Sequence, residues 1–309
     1  MDMKKIIKEK HKLQYGLEIT DNRVNSEAYN ENINSGEKLY NAATRYPDKD
    51  NEVLSGSIYL THSYTLSKKF IINEGLRYNY YNLDANYSDT MMRIMKFPFG
   101  SNISLEQHSL VGKLGVIYMP VESWRFSLLM SSGFKNPNID DISKINDSKG
   151  SDRLLVVPNP DLKPEKIYNI ELSMMKIINN SISIEIIPFY SLLKDAIVMR
   201  PTKFNGSDSI MYDGYLCAVQ TNVNKNEAYI WGYNANLNAK ITNQFSIMSG
   251  LTSTHGRVKS DDVPLDHIPP AYGKTSFRYE AKKIKSEFYL IYNMAKKLRD
   301  YSPSGEDNL

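Results

Sequence analysis

The stretch YIWGYNANLNAKI, residues 229–241, carries an apolar side chain at every odd position and Gly, Asn or Lys at the even positions from 232 to 240. Successive side chains of a β-strand point to opposite faces, so this alternation predicts a strand with one apolar and one polar face. The run is far longer than the roughly 5–6 residues of an ordinary strand. It satisfies the roughly 9–11 residues that a tilted membrane-crossing strand needs.

Similar alternation recurs along the chain, for example over residues 13–20, 70–80 and 124–131. Glu74 interrupts the apolar positions of the second run, which predicts either a β-bulge or a shift of one residue there. The pattern as a whole predicts about eleven strands. They cover residues 11–29, 53–66, 70–84, 104–119, 123–134, 166–178, 181–199, 227–241, 245–254, 271–281 and 285–298.

The predicted connections alternate between two kinds. Short turns are expected at residues 66–69, 119–123, 178–181, 242–244 and 281–285, and long polar loops near 30–52, 85–103, 135–165, 200–226 and 255–270. Short turns at one end and long loops at the other are typical of outer-membrane barrels. We therefore predict an all-β fold, an antiparallel up-and-down transmembrane β-barrel. A soluble β-sandwich with one wet face is the alternative, but it does not require every long loop at the same end.

Composition narrows the function classes. Lys plus Arg is 38 and Asp plus Glu is 35, for a net charge of +3, and no basic face of the kind that binds nucleic acid is apparent. Tyr is abundant, with 22 residues, and this side chain is favoured in strands and at membrane–water interfaces. The single cysteine, Cys217, excludes a disulfide within the chain and is expected as a free thiol in a loop or strand end.

No catalytic or metal-binding constellation is predicted. None of the five histidines lies at metal-ligand spacing from another His, Cys or carboxylate, and the chain lacks a phosphate-binding Gly-rich loop and a Gly-x-Ser-x-Gly motif. We therefore predict no cofactor. The acidic pairs at residues 140–141 and 261–262 are expected as solvated turn carboxylates. Arg77 and Arg125 are expected to face the lumen and pair with neighbouring acids.

Several segments resemble the TonB-dependent receptor family. The most specific has the family's NPxLKPE form, and four others follow its usual order: EGLRYN at 74–79, GFKNPNIDD at 133–141, FY with KDAI at 189–197, and PLDHIPP at 264–270. Lys135 stands where the family usually has Arg, and Asn79 where it usually has Asp. The first segment consists of Asn159, Pro160, Asp161, Leu162, Lys163, Pro164 and Glu165, and we expect it to have a structural role at the entry to a strand.

The resemblance implies a barrel of about 22 strands around a plugged lumen. On that basis residues 1–309 are expected to form one partial barrel domain, about eleven strands of the 22, without the plug domain or signal peptide. The parent protein would reside in the outer membrane of a Gram-negative cell. Its expected partners are the TonB complex, reached through the plug, a large small-molecule ligand and outer-membrane lipid.

The implied function is active uptake of a scarce nutrient such as a ferric siderophore, cobalamin or haem. A passive porin or adhesin barrel is the alternative. The sequence offers Arg153, Tyr212 and Tyr215, in the predicted outer loops, as candidate ligand contacts.

Overall fold

The computed structural model describes residues 1–40, 42, 44, 46–95, 100–143, 153–212, 215–260 and 262–302. In this part of the chain long β-strands dominate. The strands are β1 Asp2–Ile7, β2 His11–Val24, β3 Asn30–Glu31, β4 Lys38–Leu39, β5 Lys49–Thr65, β6 Phe70–Asn86, β7 Asn102–Tyr118, β8 Trp124–Lys135, β9 Leu154–Val157, β10 Glu165–Ile178, β11 Ile182–Pro201, β12 Ser209–Tyr212, β13 Tyr215–Lys240, β14 Phe245–Val258, β15 Val263–Pro264, β16 Tyr272–Ala281 and β17 Ile284–Asn293. Two short α-helices, α1 Asp89–Met95 and α2 Ile139–Ser143, and a 3-10 helix at Leu298–Asp300 complete the list.

One antiparallel path runs through the sheet in chain order. It follows β1, β2, β5, β6, β7, β8, β10, β11, β13, β14, β16 and β17, while β9, β12 and β15 attach at its sides. Because neighbouring strands are antiparallel, alternate connections lie at opposite ends of the sheet. All short turns therefore share one end, and the long loops that hold α1, α2 and the small β3–β4 sheet share the other. Within the described residues β1 and β17 pair only on one side, so this path is open.

The predicted up-and-down β-barrel meander is confirmed, and each of the eleven predicted strands is present. The differences are local. An additional strand, β1, pairs with β2, and β2 ends at Val24 rather than at residue 29. The 227–241 strand extends to Tyr215 at its outer end. The bulge considered at Glu74 is absent, because the ladder of β6 passes through it without a register shift and Glu74 pairs with His62 and Leu114.

Aromatic side chains on the outward face of the sheet form two bands. The inner band, near the short turns, contains Tyr64, Phe70, Tyr118, Trp124 and Phe245, and the outer band contains Tyr78, Tyr80, Tyr168, Tyr190 and Trp231. Phe70 and Tyr80 lie ten residues apart on β6. At a rise of about 3.3 Å per residue and a tilt of about 40°, that separation is about 25 Å along the barrel axis. This matches the apolar band between the aromatic girdles of outer-membrane barrels.

A buried apolar cluster lies on the inward face near the long loops, and we call it the outer-layer core. It joins the outer ends of β6 and β7 to side chains from both α-helices, from β9 and from the loop before β10. Its members are Tyr81, Leu83, Ala85, Tyr87, Met91, Ile103, Leu105, Ile142, Leu155, Leu162 and Cys217. Elsewhere the sheet is one layer with its outward apolar residues exposed, as expected for a wall that faces lipid.

The wall is least continuous between β7 and β8. These strands pair only from Lys113 to Tyr118 on β7 and from Phe126 to Ser131 on β8, although both strands extend further toward the long loops. At the point of separation the Ser132 hydroxyl accepts a hydrogen bond from the Gly112 N–H at 2.9 Å. The side chain therefore substitutes for a ladder bond where the two strands diverge.

Candidate ligand-binding surface

The inward face of the sheet is polar along much of its length. Asn236 and Asn238 of β13 alternate with outward apolar residues, and with Glu185 and Arg278 they line a concave pocket of about 440 Å³. Side chains in this wall satisfy one another, as shown by the 2.7 Å hydrogen bond that the Ser173 hydroxyl donates to Glu185. A polar lumen of this kind suits a water-filled or plugged barrel.

The predicted pairing of lumen-facing Arg77 is confirmed. Its Nη2 lies 2.7 Å from Glu18 Oε2. Arg125 faces the same side of the wall, opposite Met175, but it forms no ion pair with any of the residues that the structure describes. The sequence alone could give the face of each arginine, because alternation fixes it, but not the partner on a strand nearly 60 residues away.

The NPxLKPE segment fixes the last part of the loop before β10 to the wall. The Asn159 side chain accepts a hydrogen bond from the Asp161 N–H at 3.0 Å and donates one to the Asn222 carbonyl at 2.8 Å. Leu162 is 0% exposed and belongs to the outer-layer core. Its carbonyl accepts a 3.0 Å hydrogen bond from Gln107. The segment therefore attaches the end of this loop to the wall, and we call it the anchor.

Asn224 of β13 holds the same segment from the other side. Its side-chain oxygen accepts a 2.7 Å hydrogen bond from the Lys163 N–H, and its amide nitrogen donates to the carbonyls of Lys163 at 2.8 Å and of Asp195 at 2.7 Å. Pro160 and Pro164 flank these contacts and cannot donate a backbone hydrogen bond. Sequence reasoning did not identify Asn224, because its role depends on a contact 61 residues along the chain.

An ion-pair cluster lies where β8 ends and β10 begins, beyond the outer aromatic band. Lys135 Nζ lies 3.3 Å from Glu165 Oε2 and 3.6 Å from Asp141 Oδ2. Burial lowers the pKa of Lys135, but the attraction of the two carboxylates outweighs burial and leaves that pKa above its usual value. Asp141 also accepts a hydrogen bond from the Asn138 N–H at the start of α2. The expectation of a solvated turn carboxylate was therefore wrong for Asp141, and Asp261 lies outside the described residues.

Two of the three candidate ligand contacts meet in space. The Arg153 guanidinium lies over the Tyr215 ring, with Cζ 3.2 Å from the ring centroid. The Arg153 carbonyl accepts a hydrogen bond from the Ala218 N–H at 2.9 Å, and β9 then continues parallel to β13. The third candidate, Tyr212, pairs with Tyr215 through its backbone, while its side chain lies outside the described part of the structure. The parallel pairing of β9 with β13 thus places Arg153 and Tyr215, which are distant in sequence, at one exposed tip.

The tip around Arg153 is apolar as well as cationic. Met211 is 67% exposed, Leu216 is 64% exposed and Tyr215 is 51% exposed. A cation stacked on an aromatic ring beside exposed apolar groups can bind anionic, partly aromatic ligands. A second exposed aromatic group, Tyr29 with Tyr40, flanks the two strands β3 and β4, where Lys38 Nζ is 4.2 Å from the Tyr29 ring centroid.

The described residues contain neither a metal-binding cluster nor a membrane-crossing helix. No group of three or more His, Cys, Asp or Glu side chains is arranged to hold a metal ion there. No described helix has the length and apolar character to cross a membrane. The structure does bring His11 and His62 together, with Nδ1 and Nε2 3.0 Å apart, a contact that sequence spacing gave no reason to expect.

Comparison with known proteins identifies relatives of the fold. The copper transporter OprC superposes with a TM-score of 0.68 at 14% identity, covering 91% of this chain and 42% of that one. The FrpB iron transporter of Neisseria meningitidis gives 0.64 at 15% identity, covering 93% and 40%. The hemophore receptor HasR of Serratia marcescens, solved with its hemophore and haem, gives 0.65 at 15% identity, covering 94% and 51%.

A relative by sequence is the iron-regulated outer membrane virulence protein of Vibrio cholerae. It is 29% identical over 151 residues, which are 47% of this chain and 22% of that protein. The chain thus spans about half or less of the length of the proteins it resembles. Residues 5–308 match the family model described as TonB dependent receptor-like, beta-barrel. The chain belongs to the TonB-dependent receptor β-barrel family.

Proposed function

We propose that this chain forms barrel wall and outer loops of an outer-membrane receptor that takes up a large, scarce metal chelate. A ferric siderophore, a haem or a cobalamin is the expected ligand class. The observation that carries the proposal is the Arg153–Tyr215 tip, held by the outer-layer core above a polar lumen. Family membership supports this reading, as do relatives whose names refer to iron, copper and haem.

Placement in the outer membrane is part of the proposal. It is supported by the two aromatic bands and by strands long enough to cross a bilayer at a tilt. We further propose that transport is energised through TonB, acting on a plug domain of the full-length protein. A passive porin or adhesin is not supported, because the chain belongs to a receptor family and its loops pack into a common core.

The test uses the full-length gene, deleted and then restored on a plasmid, in cells grown with an iron chelator. Growth is measured with a panel of ferric catecholate, ferric hydroxamate and haem, and uptake of cyanocobalamin is measured separately. At least one of these should depend on the gene and on TonB. Uptake of every member of the panel without TonB, or no effect of the deletion on any of them, would contradict the proposal.

The same assay tests the tip. Arg153→Ala should lower affinity for an anionic transported ligand about tenfold, since one hydrogen bond from a charged guanidinium contributes roughly 1.5 kcal/mol. Lys68→Ala, in a short turn at the opposite end, is the matched loss of one surface cation. Equal affinities of the two variants would remove Arg153 from the binding surface.

A further inference from the structure

Two lysines stand directly opposite each other on the outward face of the wall. Lys166 of β10 and Lys194 of β11 are register partners, one outward position beyond Tyr168 and Leu192. Like charges at directly opposed positions destabilise a sheet unless an anion lies between them. Lys194 Nζ is 3.9 Å from Glu227 Oε1, but Glu227 also contacts Lys259 at 3.0 Å. Lys166 has no ion-pair partner among the described residues.

An apolar groove begins directly below this lysine pair. It has a volume of about 610 Å³ and runs toward the middle of the apolar band. The groove exists because Gly112 and Ser132 present little bulk where β7 and β8 diverge. Its outward walls come from Leu114, Met130, Tyr168, Ile170, Tyr190 and Leu192.

The lysine pair belongs to a basic sector. Arg257 and Lys259 of the neighbouring hairpin face the same way, and the carboxylates that contact these cations are Glu227 and Asp262. On β2 to β7 the outward side chains at a similar distance from the short turns are mostly acidic. They are Asp21, Glu52, Asp84 and Glu106, with Arg23 as the accompanying cation. Among the outward residues that the structure describes on these strands, the excess positive charge therefore lies beside the groove.

We propose that the Lys166–Lys194 pair and the groove below it bind a phosphate-bearing lipid of the leaflet at the long-loop end. The phosphate would lie between the two ammonium groups, where charge-assisted hydrogen bonds relieve their repulsion. One acyl chain would lie in the groove, which a free phosphate ion would leave empty. Basic clusters next to an apolar span are the chemistry that recognises anionic lipid headgroups. The proposal depends on membrane placement and is independent of what the receptor transports.

The test uses the full-length receptor in a neutral detergent, with bisphosphorylated lipid A as the probe. Bound lipid is counted by native mass spectrometry across a titration. The double variant Lys166→Ala, Lys194→Ala should bind roughly thirtyfold more weakly, since each headgroup cation contributes about 1 kcal/mol. The charge-retaining Lys166→Arg, Lys194→Arg should bind within about threefold of wild type. Lys68→Ala, Lys69→Ala, at the opposite end of the wall, should not change binding.

The groove is tested separately with Ile170→Trp, which fills it without altering charge. This variant should weaken lipid binding at least several-fold, whereas Leu290→Trp, on the outward face of β17, should have no effect. The proposal is overturned if the double alanine variant binds as wild type does. It is also overturned if dephosphorylated lipid A binds equally well, or if inorganic phosphate displaces the lipid at equal concentration. Loss of binding in the lysine variant but not in Ile170→Trp would indicate an ion site, and overturns the assignment to lipid.

Discussion

Truncation of Leu162 should loosen the loops that carry the candidate ligand contacts. This side chain is fully buried in the outer-layer core, against residues from both α-helices and from β9. Leu162→Ala removes three carbon atoms, at about 0.8 kcal/mol each for transfer from water. The cavity that remains raises the loss to about 3 kcal/mol, within the usual range for Leu→Ala. The opening equilibrium of the loop layer should therefore shift about a hundredfold toward the open state.

Hydrogen exchange on the full-length receptor in detergent measures this shift. The amides of β9 should exchange about a hundred times faster in Leu162→Ala, because Leu155 of that strand packs in the same core. Leu216→Ala is a matched control, since it removes the same atoms from an exposed position on β13. The exchange rates of amides near the short turns should not change in either variant. If Leu162→Ala and Leu216→Ala exchange alike in β9, the apolar core does not hold the loops.

Three further predictions concern the wall and its contacts. Tyr78 of β6 and Leu110 of β7 are register partners, so cysteines that replace them should form a disulfide on mild oxidation of the receptor. A cysteine pair in which one member is moved four residues along its strand should not. The reverse result would refute the register. Asn224→Ala removes three hydrogen bonds to the loop segments around it and should cost about 2–3 kcal/mol locally. Chymotrypsin should then cut faster after Leu162 than in wild type or in the lumen-facing control Asn238→Ala, because release of the segment exposes that buried side chain, and equal rates would argue against the anchor. The 309-residue chain alone in water should aggregate, because it exposes a broad apolar face, and a monodisperse monomer in light scattering would contradict the membrane assignment.

Most of the wall follows from alternation alone. The 229–241 run fixes which side chains of β13 face lipid, and neighbouring strands repeat the pattern, so the meander and its short turns could be predicted. The outer extension of β13 could not. From Tyr215 to Lys225 the apolar residues follow the packing of β9, β12 and the outer-layer core rather than a lipid face. The strand β1 was also missed, since its six residues include two lysines and lack a regular apolar pattern.

The candidate site was less predictable than the wall. Residue type suggested Arg153 and Tyr215, but their contact depends on parallel pairing of β9 with a strand more than 60 residues away. The NPxLKPE segment could be recognised by its resemblance to the family motif, but Asn224, which holds that segment from β13, could not. The lysine pair on the outward face was likewise invisible, because only the β10–β11 register places Lys166 opposite Lys194. In each case the missing information was the long-range register, which local alternation does not encode.

Cys217 gives the outer-layer core a consequence for spectroscopy. It is the one thiol of this chain, and it is buried and not disulfide-bonded, among the apolar side chains that tie the loops together. A maleimide reagent can reach such a sulfur only when the surrounding side chains move apart, so the labelling rate reports how often the outer-layer core opens. Where ligand binding orders the loops, labelling should slow in proportion. The native sequence thus contains its own reporter of loop opening, placed without any substitution.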